Sequence, residues 1–177
     1  MEKTDQLESA IREFDSKYVF EKSPNICVLE DITEKQISFH VKKLHLVLDS
    51  AEKPLLVLNT NPGVRLYGFS GFVITNKKIH FSLIKRSFFA SFFPVGEKPR
   101  NLKLESIDSF QIGQHDACWG SDYVGHDLLI NMQALGLVRL GFNLTYDDKA
   151  LKYINDLSMF LFEKKYLKDA PKEYRWQ

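Results

Sequence analysis

Leu7, Ala10, Ile11 and Phe14 recur three and four positions apart, and this spacing predicts an amphipathic helix over Glu2–Ser16 with one apolar stripe. Ser23-Pro24-Asn25 then breaks the chain, and the short apolar run Ile26–Leu29 fits either a strand or a buried helical turn. Thr33 and Gln36 stand at capping-box spacing ahead of Ile37, Val41, Leu44 and Leu48. A second helix ending near Asp49-Ser50 follows from that pattern. Beyond Lys53-Pro54 the helical spacing gives way to short runs rich in β-branched and aromatic residues. Strands are predicted at Leu55–Asn59, Val64–Thr75, Lys78–Ile84, Asn101–Leu104, Ser109–Ile112, Asp127–Gln133 and Leu137–Phe142. Turns are expected at Asn61-Pro62-Gly63, at Asn76-Lys77, and at Ala134-Leu135-Gly136. After Thr145, Asp147 and Asp148, the stripe Leu151, Ile154, Leu157 and Leu161 with Lys164 and Lys165 behind it predicts a last helix whose end charges complement its dipole.

The hairpin phrase Gly71–Leu83, GFVITNKKIHFSL, resembles the G-ψ-ψ-ψ-T-N-K-R-ψ-ψ-ψ hairpin (ψ apolar) of bacterial pleckstrin-homology-like and GRAM-like domains. Leu104–Phe110 is similar to the P-L-x-x-I-x-x-I phrase of that family, with Lys103 in place of Pro and Phe110 in place of Ile. The resemblance covers approximately Leu55 to Phe162. It implies an α+β fold: a pleckstrin-homology-like β-barrel of about seven antiparallel strands, closed by a C-terminal α-helix, with two N-terminal helices outside the pattern. The implied organisation is a helical extension over 1–52, the domain over 53–166 and a polar tail over 167–177. The family's role is binding without chemistry.

Composition narrows the choice of partners. Net charge is +1, which gives no electrostatic reason to expect nucleic acid. The charge is nevertheless segregated: Arg65–Lys103 holds eight basic residues against Glu97 alone, whereas Leu104–Asp127 holds five acids and no Lys or Arg. Met1–Ser9 lacks the apolar core of a secretory signal, and no apolar run approaches the roughly 20 residues of a spanning helix, so a cytoplasmic chain with no transmembrane segment is expected. Cys27 and Cys118 are too few and too far apart for a disulfide framework.

Two kinds of surface emerge as binding candidates. Arg65, Lys77, Lys78, Lys85 and Arg86 gather around the hairpin, although the loop 59–65 offers only Arg65 where phosphoinositide-binding relatives carry several cations. Ser87–Pro94 packs Phe88, Phe89, Phe92 and Phe93 into eight residues, which need a core, a subunit or a membrane surface to cover them. These features predict a non-enzymatic interaction module that binds a protein partner or a second copy, with weak contact to anionic lipid as the alternative. Gln114–Asp127 gathers His115, Asp116, Cys118, Asp122, His126 and Asp127, the residue types of a metal or catalytic site and the second alternative. Its spacing matches no metal motif, and no nucleophile elbow or phosphate loop occurs elsewhere. Neither a catalytic residue, a metal nor a cofactor is therefore predicted.

Overall fold

The computed structural model describes residues 3–43, 47–60, 70–82, 100–116, 124–137, 148–172 and 175–176. In chain order these form α1 (Lys3–Lys17), β1 (Ile26–Val28), α2 (Glu34–Lys43), β2 (Pro54–Thr60), β3 (Ser70–Thr75), β4 (Lys78–Ser82), β5 (Arg100–Lys103), β6 (Phe110–Asp116), β7 (Val124–Ile130), β8 (Gln133–Leu137), α3 (Asp148–Glu163) and β9 (Arg175–Trp176). Strands β1 to β5 make one antiparallel sheet in sequence order. A second sheet runs β8-β7-β6-β9, with β9 parallel to β6.

Alternation along the strands assigns each side chain of the first sheet to one of two faces. Ile26, Val28, Leu56, Leu58, Phe72, Ile74, Ile79 and Phe81 enter the main core. There they meet Phe110, Ile112, Leu128 and Ile130 of the second sheet, Leu7, Ile11 and Phe14 of α1, and Tyr153, Ile154, Leu157 and Leu161 of α3. The opposite face carries a cross-strand row, Cys27–Val57–Val73–His80–Asn101. Ile32, Ile37 and Leu48 pack over its apolar part and make a second, smaller core. Residues before Pro54 thus supply a strand to the first sheet and apolar groups to both cores. Past α3, Leu167 is buried and Arg175-Trp176 pair with β6.

The closed barrel expected from the family resemblance is not formed. Among the described residues no strand of one sheet pairs with a strand of the other. Barrel closure needs a free strand edge to continue into the next sheet, and the outer edge of β6 is already taken. Asn155 of α3 accepts from Ile112 N–H and donates to Ile112 C=O, both at 2.9 Å. Ser158, one helical turn on, donates its hydroxyl to the Phe110 carbonyl, and β9 pairs with Gln114 and His115. Two stacked sheets with helices against them are the result.

The predicted hairpin Phe72–Leu83 stands as β3 and β4, in register from Gly71↔Ser82 to Ile74↔Ile79. Its turn falls at Asn76-Lys77 as expected, with neither residue at positive φ. Thr75 organises it: the hydroxyl accepts from Lys77 N–H at 3.2 Å and Lys78 N–H at 2.9 Å and donates to Lys78 C=O at 3.1 Å. Asn76 faces the lead-in to β2, donating its N–H to Lys53 C=O at 3.0 Å and accepting Lys53 N–H on Oδ1 at 2.9 Å.

The β7–β8 hairpin repeats this arrangement in the second sheet. Asn131 donates its N–H to Ser109 C=O at 2.9 Å and accepts Asp108 N–H on Oδ1 at 2.7 Å, ahead of β6. Its turn is Asn131-Met132, with φ of 53° and 62°. That is the twist-matched geometry of a two-residue hairpin. The predicted turn at Ala134–Gly136 is therefore displaced, and those residues belong to β8. Met is not a residue whose side chain marks such a turn, so the hydrophobic run concealed it.

The capping box forms as predicted, with Thr33 N–H donating to Gln36 Oε1 at 2.7 Å and Gln36 N–H to Thr33 Oγ1 at 3.3 Å. Helix α2 ends at Lys43, short of the predicted Asp49-Ser50. Residues 47–53 instead form a non-helical connection, in which Glu52 N–H bonds Asp49 C=O at 2.9 Å. Helix α3 ends in a Schellman motif: Tyr166 N–H reaches Leu161 C=O at 2.9 Å and Lys165 N–H reaches Phe162 C=O at 2.8 Å. Lys165 occupies the left-handed position at φ 64°, where glycine is usual.

Candidate functional site

Of the predicted binding residues, Arg65, Lys85, Arg86, Phe88, Phe89, Phe92 and Phe93 lie outside the described residues. Lys77 is exposed at the hairpin tip. Lys78 is turned to structural use: its ammonium is 2.8 Å from Glu52 Oε1 and 3.0 Å from Asp49 Oδ2. The other oxygen of Glu52 meets His80 Nε2 at 2.5 Å. The Glu52 side chain is wholly buried and His80 is 3% exposed, so this is an internal ionic cluster at the margin of the smaller core. Burial pushes the Glu52 carboxyl up, but Lys78 and His80 together outweigh it and hold the group below the usual carboxylate range. Sequence reading missed this pairing because 28 residues separate its members.

The described cysteine lies outside the predicted 114–127 cluster. Cys27 is a free thiol whose Sγ accepts from the Gln36 side-chain amide. Burial, followed by the nearby Asp31 carboxylate, pushes its pKa up, away from the thiolate a nucleophile needs. It also sits three strand spacings from His80 in the same row, about 14 Å at the usual strand separation. In the 114–127 segment, residues 117–123, including Cys118 and Asp122, lie outside the described residues. The register places His126 opposite Gln114 and His115 opposite Gly125, so the two histidine positions belong to opposite faces of the sheet. No three His, Cys, Asp or Glu residues gather as a metal-ligand set among the described residues.

A surface that sequence reading did not single out lies where α1 ends beside α3. Phe14 packs edge-on to Tyr153 with ring centres 5.2 Å apart and reaches Phe160 at 5.5 Å. Tyr18 lies 4.7 Å from Tyr153 and 5.7 Å from Phe20. Such pairs contribute about 0.5–1.5 kcal/mol each beyond burial, so the aromatic wall is a rigid one. It borders a groove of about 210 Å3 lined by Phe14, Lys17, Tyr18, Val19, Phe20, Asp156 and Phe160. On this side Val19 is 86% exposed, Phe20 55% and Met159 39%.

The charged groups around the groove are held in ion pairs, with three lysines against two carboxylates. Lys17 and Lys164 both bind Glu13, at 2.8 Å and 2.9 Å, and Lys152 binds Asp156 at 2.8 Å. Lys152 Nζ also stands 4.2 Å from the centre of the Phe20 ring, and Lys164 Nζ 5.2 Å from that of Phe160. Beneath, Tyr153 donates to Asp15 Oδ1 at 2.7 Å, while the buried Tyr18 hydroxyl has no hydrogen-bond partner among the described residues. Burial first, and then the Asp156 charge, raise the Tyr18 pKa, so the phenol stays protonated. The signal for this surface was in the sequence: Tyr18, Val19 and Phe20 are consecutive, and Tyr18 stands four positions after Phe14, the last residue of the helical stripe. No protein-family profile, curated protein or solved structure matches the chain.

Proposed function

We propose that the chain is a non-enzymatic interaction module that self-associates through the aromatic groove between α1 and α3. The observation that carries this reading is the exposure of Val19, Phe20 and Met159 beside a preformed aromatic wall. Water gains nothing from that arrangement, and burying Val19 and Phe20 against a partner contributes about 1.5–3 kcal/mol for each side chain. A second copy is the simplest occupant, since a two-fold interface sets the same protruding residues against the same groove on both sides. Each rim lysine is already engaged by a carboxylate, which favours protein over an anionic membrane, where the gain is about 1 kcal/mol for each basic group free to approach the surface.

Light scattering across a concentration series tests the reading. The wild-type mass is expected to rise with concentration, whereas Phe20→Asp stays monomeric with unchanged circular dichroism. A wild-type chain that remains monomeric throughout overturns it. Co-sedimentation with phosphatidylserine vesicles at low salt, lost on charge reversal of Lys77, supports the lipid alternative instead.

A further inference from the structure

The outer edge of β6 is divided between two kinds of partner. At Ile112 it is sealed by Asn155, but at Gln114 and His115 its partner is the two-residue strand Arg175-Trp176. Just before that strand, Gln111, 3% exposed, grips the passing main chain. Its amide donates to Lys172 C=O at 2.6 Å and its carbonyl accepts Lys172 N–H at 2.8 Å. All these contacts read backbone, so they hold any extended segment of suitable direction.

Charge adds selectivity. The segment Leu104–Asp127 has five acids and no Lys or Arg, whereas the stretch 168–177 has Lys168, Lys172 and Arg175 against Asp169 and Glu173, a net charge of +1. Lys168 Nζ reaches Asp108 Oδ1 at 2.6 Å. We infer that the β6 edge with Gln111 is a strand-docking site for a basic, extended segment of a partner protein, and that Lys172 and Arg175-Trp176 of the chain itself are its competing occupants. The site is separate from the aromatic groove, and binding takes place by strand addition parallel to β6. Displacement exchanges one set of main-chain hydrogen bonds for another. The tethered segment therefore suppresses weak partners through its high effective concentration.

The probe is a fluorescein-labelled peptide of residues 168–177, followed by anisotropy on the full chain. Arg175→Pro removes a strand N–H from the resident segment without touching either core. It is expected to bind the peptide at least tenfold more tightly than wild type, and Gln111→Met in the same chain is expected to abolish the binding. Raising salt weakens it. Equal affinity for wild type and Arg175→Pro, or binding indifferent to Gln111→Met, overturns the proposal. Should Arg175→Pro not fold, Trp176→Pro takes its place. The wild-type chain at millimolar peptide must in any case show weak binding that Gln111→Met removes, and its absence is equally decisive. Phe20→Asp leaves peptide binding unchanged, so failure of the groove and failure of the edge are told apart.

Discussion

Lys165 is held in the left-handed region so that the carbonyls of Leu161 and Phe162 find donors at the end of α3. A Cβ in that conformation is unfavourable by about 1 kcal/mol, and the lysine side chain is exposed, with no ion pair among the described residues to offset it. Lys165→Gly is therefore expected to stabilise the chain by about 0.5–1 kcal/mol, read as a rise in urea midpoint at unchanged slope. The sequence showed where this helix begins and which face is buried, since charge and periodicity are local signals. It did not show the residue at its end, because lysine there follows from hydrogen-bond geometry and not from its own preference. Asn76 and Asn131 differ in the same way. The pattern places Asn76 in a turn and Asn131 in a strand, yet of the two it is Asn131 that takes positive φ, and the common task of the pair is to bind backbone beside the next strand.

Among elements, the β3–β4 hairpin was legible from alternation and a polar turn, whereas the ionic cluster behind it was not. Glu52 lies in a connection, and only the fold brings it to His80 and Lys78. Because the folded Glu52 carboxyl is held below its unfolded value of about 4.3, its contribution is complete above that pH. It is lost as pH falls through the lower folded value. Wild type should accordingly lose stability more steeply than Glu52→Gln below about pH 4, in urea titrations at successive pH values. At pH 7 the same substitution is expected to lower stability by about 2 kcal/mol, since it removes a charge-assisted hydrogen bond. Matching acid limbs in the two proteins contradict this account.

Across the whole molecule, one core joins both sheets, α1 and α3. Ile11 has no exposed surface within it, so Ile11→Ala is expected to cost about 2–5 kcal/mol and to lower near- and far-ultraviolet dichroism transitions together. A loss confined to one probe would mean that α1 unfolds separately. The class of fold, strands followed by a helix with helices ahead, was readable from periodicity. Closure into a barrel was not, because it depends on which partner an edge strand meets and no local pattern records that. The candidate surfaces were harder still. The cations chosen from the sequence include Lys78, which faces inward, whereas the groove arises from residues of α1 and α3 more than 130 positions apart.

The clamp of Asn155 on Ile112 has one more effect. A strand that joins β6 beyond this point cannot extend along it toward Phe110, because a helix side chain has consumed both main-chain groups there and Ser158 covers the next. Edge-to-edge addition of a further strand at β6, a hazard of any open sheet, is thereby limited to a few residues.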